Sequence, residues 1–135
     1  MNNQAFASEQ LICRREAQEE MAREMRLLIE EHNEEEGLKW TGSRLDLMEA
    51  LYYLFETGTL YDEYGMPSTF IELVRRACRL LHTPQPANPY EVVRRGLNRK
   101  GIRQRNLLDR YCYMKEKQHE NRPTLTSTYI SYCKK

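Results

Sequence analysis

From Ser8 to Glu36 the chain runs without a glycine or a proline, and within that stretch Leu11, Ala17, Met21, Met25, Leu28 and Ile29 recur at three- and four-residue spacing. Apolar residues at that period fall on one side of an α-helix, so the stretch predicts one long amphipathic helix. Its last turns, Glu30-Glu31-His32-Asn33-Glu34-Glu35-Glu36, place negative charge where the helix dipole is already negative. The end should therefore fray before Gly37 stops it.

Punctuation further along divides the rest into short elements. Leu38-Lys39-Trp40 alternates as a brief strand would. Ser43 is placed to cap a helix, with Asp46 three residues on, and Leu47, Met48, Leu51, Leu54 and Phe55 form its apolar face up to Gly58. Thr59 to Pro67 reads as a turn or short extended piece that pairs with the Leu38 segment. Ser68 then caps a helix whose inner face is Phe70, Ile71, Val74, Ala77, Cys78 and Leu81, with Arg75, Arg76 and Arg79 outside. Thr83-Pro84-Gln85-Pro86 ends it, because each proline lacks an N–H and restricts its predecessor. Asn88-Pro89-Tyr90-Glu91 restarts a helix with a capping asparagine and a proline in the first turn, and Tyr90, Val93 and Leu97 supply its apolar side. Gly101 marks a bend before a last helix carrying Leu107, Leu108, Tyr111 and Met114, and the end from Thr124 to Lys135 is either a short strand or a loose tail.

At 135 residues this pattern fits a mainly α protein of about five helices in one compact domain, with room for a small two-stranded hairpin. The chain divides into a long acidic helix as an arm (1–37), a helical domain (38–120) and a C-terminal tail or short strand (121–135). No apolar run is long enough for a membrane span, and residues 1–10 lack the pattern of a signal peptide, so a cytoplasmic location is expected. In that compartment Cys13, Cys78, Cys112 and Cys133, widely scattered, are read as free thiols.

Charge is segregated. Residues 1–63 hold six Lys or Arg against fifteen Asp or Glu, a balance of −9, and residues 64–135 hold fifteen against five, a balance of +10. A basic half attracts phosphate, and an acidic half either repels it or binds the basic half of another copy, so the split bears on partners. The densest constellation is Arg94, Arg95, Arg99, Lys100, Arg103, Arg105 and Arg110, seven cations in seventeen positions opposed only by Asp109. Such density repels itself unless an anion compensates, and double-stranded DNA supplies phosphates along its length and base edges that Arg can bond with two donors. The competing explanation is a solvated face answering the acidic first helix.

Catalytic and metal patterns are weaker. No cysteine or histidine pair has zinc-ligand spacing, and the six glycines stand singly, without a phosphate-cradling loop. Cys78 or Cys112 with His82 is the only nucleophile pairing to weigh, and buried cysteine with a histidine near a helix end explains those residues better. No catalytic residue, metal ligand or cofactor is expected. Trp40 is placed in the core, and Asp46 and Glu49 are read as helix-start charges.

The run Trp40-Thr41-Gly42-Ser43-Arg44, followed by Asp46-Leu47, Glu49, Tyr52 and Leu54 and closed by Gly58, resembles the signature of the RteC-like family of Bacteroides conjugative-transposon regulators. Leu107-Leu108-Asp109 is similar to the aromatic-Leu-Asp step of that family. The likeness runs from about Leu38 to Glu120, with Ala50, Tyr53 and Arg105-Asn106 departing from the pattern. It implies a DNA-binding transcriptional regulator of mobile-element genes with a winged-helix-like, helical domain. The alternative is a non-enzymatic interaction module whose acidic N-terminal helix docks on a partner or pairs two copies as a homodimer.

Overall fold

The opening stretch folds as α1 (Asn3–Glu31) in a computed structural model that describes residues 3–98, 100–101, 104–117 and 124–132, with side chains over 14–98, 105–114 and 124–131. The helix stops short of the expected Glu36. The Asn33 side chain accepts the Glu35 amide (3.0 Å) and the Glu36 carboxylate accepts the Asn33 amide (3.3 Å). Those bonds wind Glu34–Glu36 into a separate 3-10 turn that Gly37 ends with φ 73°. Side-chain competition for the backbone thus cuts the helix sooner than its charge would. Residues 1–37 were expected as an arm, yet Ala17, Met21, Ala22, Met25, Leu28 and Ile29 are buried in the same core as Leu51, Phe70 and Leu107.

That core is centred on α2 (Arg44–Thr57), which is buried nearly all round from Asp46 to Leu51 because α1 and three later helices all pack on it. Ser43 caps it, accepting the Asp46 amide at 3.1 Å, and Gly58 closes it with φ 61°. Helix α3 (Phe70–Leu80) buries Phe70, Leu73, Val74, Ala77 and Cys78 and exposes Arg75, Arg76 and Arg79. Its cap is Thr69, not Ser68. Ser68 is instead buried, its amide bonded to the Leu60 carbonyl at 2.8 Å, so its side chain faces inward one residue too early to cap. Helix α4 (Pro89–Leu97) begins as expected with Asn88 accepting the Glu91 amide. Its buried face is Pro89, Val92, Val93 and Gly96, displaced from the expected one, and Tyr90 remains half exposed against Phe70. Gly96 is buried against α2, where a Cβ would lie in ordinary contact, 3.5 Å from the Leu45 carbonyl. The connection between α3 and α4 runs from Leu81 to Asn88, longer than the turn of a helix-turn-helix, because Pro84 and Pro86 hold it extended.

Strand β1 (Leu38–Trp40) is found where alternation placed it, but its partner is not the Thr59–Pro67 piece. That piece closes on itself, with Asp62 Oδ1 accepting the Tyr64 and Met66 amides, and a bridge between Tyr61 and Pro67. A second short hairpin joins β2 (Lys100–Gly101) to β3 (Gln104–Arg105), where a simple bend was expected at Gly101. Helix α5 (Leu107–Lys117) comes next, then α6 (Leu125–Tyr129) and β4 (Ile130–Tyr132), so the end is ordered over those residues. β4 pairs antiparallel with β1, with Trp40 opposite Ile130. Among the described residues no helix is long and apolar enough to cross a membrane.

Candidate nucleic-acid interface

Of the cations singled out by the sequence, Arg94 and Arg95 lie on α4, Lys100 on β2, Arg105 on β3 and Arg110 on α5. Val92, Val93 and Gly96 face α2 and so turn Arg94 and Arg95 outward from α4. The β2–β3 register sets Lys100 opposite Arg105, which is exposed, so two cationic positions are cross-strand neighbours. Arg99 and Arg103 lie outside the described residues, as does the Lys100 side chain.

The turn from β3 into α5 anchors the hairpin. Asn106 Oδ1 accepts the Asp109 amide at 2.9 Å. Glu49, expected as a helix-start charge, is instead fully buried beneath the same turn. Its carboxylate accepts the Leu107 amide (3.0 Å), the Leu108 amide (2.9 Å) and the Tyr53 hydroxyl (2.7 Å). A carboxylate at a helix N-terminus satisfies orphan amides and meets the positive end of the helix dipole, so α2 holds the start of α5 from below. Burial, and then Glu49, pushes the Tyr53 hydroxyl well above its ordinary range and keeps it a donor. Asp46, also buried, pairs with Arg110.

A buried acid thereby holds one end of Arg110, while 40% of its side chain stays exposed. Arg94 meets Glu91 at 2.8 Å within its own helix, but with 68% of its side chain exposed the pair is weak and easily exchanged. Arg95 and Arg105 make no ion pair among the described residues. The acids of α1 turn mainly to other work. Glu20 accepts the Tyr111 hydroxyl at 2.7 Å, and Glu24 accepts the Leu125 amide at 3.2 Å at the start of α6. Burial raises the Glu24 carboxyl above its ordinary value despite the amides it accepts. From the same helix Arg14 pairs with Asp109, the one acid among the basic run.

The motif residues prove to be structural ties. Trp40 is in the core as expected, its indole N–H donating to the Ser43 carbonyl at 2.9 Å and its ring stacked on Tyr129 with centroids 4.9 Å apart. The Thr41 amide bonds the Tyr129 carbonyl at 2.7 Å, and a Cβ on Gly42 would come 2.7 Å from the same ring. Cys78 is buried, which pushes its thiol up, and His82 Nε2 meets the Glu34 carbonyl at 2.9 Å. Cys112 forms no disulfide among the described residues, and Cys13 and Cys133 lie outside the described side chains.

One feature had no sequence signal. A cavity of about 610 Å³ opens between β3, α5 and α6, with Leu107, Met114 and Leu125 as apolar wall and Arg105 and Arg110 at one side. Its tyrosines, Tyr111, Tyr113 and Tyr129, come from two helices far enough apart in sequence that no local spacing joins them. No family model matches this chain, and no curated protein or solved structure matches it at a significant level.

Proposed function

We propose that this chain is a DNA-binding transcriptional regulator that meets the phosphate backbone with Arg94 and Arg95 of α4 and with the Lys100 and Arg105 hairpin, aided by Arg99 and Arg103. The observation that supports this best is the exposure of Arg95 and Arg105 without an acidic partner among the described residues, on adjoining elements. A cation without a carboxylate to answer it is free to displace counterions from a polyanion. The acidic helix α1, the competing explanation for the charge, directs Glu20 and Glu24 at Tyr111 and the start of α6. From Ala17 to Ile29 its apolar stripe is already covered by this chain, which takes that stretch away from a docking arm.

Titration of the protein with duplex DNA at several salt concentrations tests the reading. About five phosphate contacts give a log–log slope between about −4 and −5. Binding that is absent or indifferent to salt refutes it. The link to a conjugative element rests on the RteC-like likeness of Trp40 to Arg44 and is tested by selecting bound duplexes from a random pool. Enrichment of one sequence supports a regulator, and even recovery of all sequences rejects one.

A further inference from the structure

We infer that the cavity between β3, α5 and α6 binds a small aromatic carboxylate, with Arg105 taking the anion and the tyrosine rings taking the ring system. A volume of about 610 Å³ is in the range of small-molecule sites, and the walls are apolar where a ring would lie. Two of the aromatic walls are held in place before any ligand arrives. Tyr129 is stacked on Trp40, and the Tyr111 hydroxyl is bonded to Glu20. Fixed walls lower the ordering cost of binding.

The charged side of the cavity is asymmetric. Arg105 is exposed and makes no ion pair among the described residues, whereas one end of Arg110 is committed to Asp46. The one free guanidinium matches the single charge and two oxygens of a carboxylate.

Occupation would also withdraw Arg105 from the basic surface, and this consequence alone rests on the nucleic-acid reading above. A ligand at this site would then weaken duplex binding, as an inducer does to a repressor.

The full chain titrated with 2-naphthoate, and in parallel with its neutral analogue 2-naphthamide, tests the site by calorimetry or by tyrosine fluorescence. The expected result is saturable, sub-millimolar binding of naphthoate, at least tenfold tighter than the amide. Arg105→Ala should cost about tenfold for naphthoate and leave the amide unchanged. Thr128→Trp, which fills the cavity from an exposed position on α6, should abolish both, and its far-ultraviolet circular dichroism shows whether it has folded. Absence of saturation, equal affinity for acid and amide, or an Arg105→Ala effect below twofold overturns the inference. Duplex titration in saturating naphthoate tests the coupling, with the salt slope expected to shrink by about one. If the protein alone does not bind duplex, the nucleic-acid reading fails and the coupling with it, and the naphthoate series still decides the site. An unchanged slope with naphthoate bound rejects the coupling.

Discussion

Replacing Glu49 probes the joint on which the basic hairpin depends. The side chain is 0% exposed and answers three donors, the amides of Leu107 and Leu108 and the Tyr53 hydroxyl. Glu49→Ala leaves each without its acceptor in a place water does not reach, at about 1–3 kcal/mol per donor. The vacated space adds about 1–2 kcal/mol. Against this, a buried carboxylate no longer has to be desolvated, which returns several kcal/mol. The balance is a loss of about 3 kcal/mol, and for a chain of this size that lowers Tm by about 10 °C.

Glu49→Gln separates shape from charge. The amide keeps one accepting oxygen but turns an N–H₂ toward a backbone N–H, two donors face to face, so about 2 kcal/mol should be lost. Tyr53→Phe alone should cost about 1 kcal/mol, and in the Glu49→Ala background nothing, since the hydroxyl there has already lost its acceptor. The cycle therefore predicts a coupling of at least about 1 kcal/mol between the two sites. Urea denaturation of the four proteins measures every term. If Glu49→Ala lies within about 0.5 kcal/mol of the parent, or if the two substitutions add, the carboxylate is not what holds the start of α5.

Arg110→Ala should lower stability by about 2–4 kcal/mol, because it strands Asp46 inside the protein, and it should change the DNA salt slope little; denaturation and duplex titration give the two halves. Arg95→Ala and Arg105→Ala should do the reverse, leaving Tm within a degree or two and each reducing the slope by about one. Gly42→Ala forces a Cβ to within 2.7 Å of the Tyr129 ring, so the stack on Trp40 must open at about 1–3 kcal/mol, with a shift in tryptophan emission as the readout. Burial raises the Glu24 carboxyl, so its folded value lies above its unfolded one, and ionising it as pH rises through that folded value removes stability. Glu24→Gln should therefore gain on the parent at about pH 7 and lose that advantage near pH 4, as denaturation at the two values will show.

What was legible in the sequence was local. Ser43 with Gly58, and Asn88 with Pro89, place caps and stops from residues a few positions apart, and the structure has them there. The periodic stripe of α1 and the outward Arg75, Arg76 and Arg79 were legible for the same reason. Failures arose where a backbone group chose a distant partner. β1 took β4 across most of the chain, and no alternation of three residues can name its partner. Ser68 and Thr69 both qualify as caps, and burial decided between them. Asp46 does lie in the first turn of α2, but Glu49 was misread as a helix-start charge, and only tertiary packing shows that both acids face α5.

The same distinction explains why the segregated charge cancels only in part, at Glu34 with Arg79 and at Asp46 with Arg110. Cancellation would require the carboxylates of the first half to face the guanidinium groups of the second. Glu24 and Glu49 instead face backbone amides at the starts of α6 and α5, and Glu20 faces a tyrosine. An amide at a helix start competes well for a carboxylate, because the bond also meets the helix dipole and fixes one helix against another. Arg110, which does find a buried acid, sits on α5 itself, one turn beyond those amides. Arg94 and Arg95 on α4 and Arg105 on the hairpin stand before that joint and are exposed. A fold that uses acids to tie helix ends therefore keeps arginine on its surface, and its net charge of +1 understates the field a polyanion would meet at α4 and the hairpin.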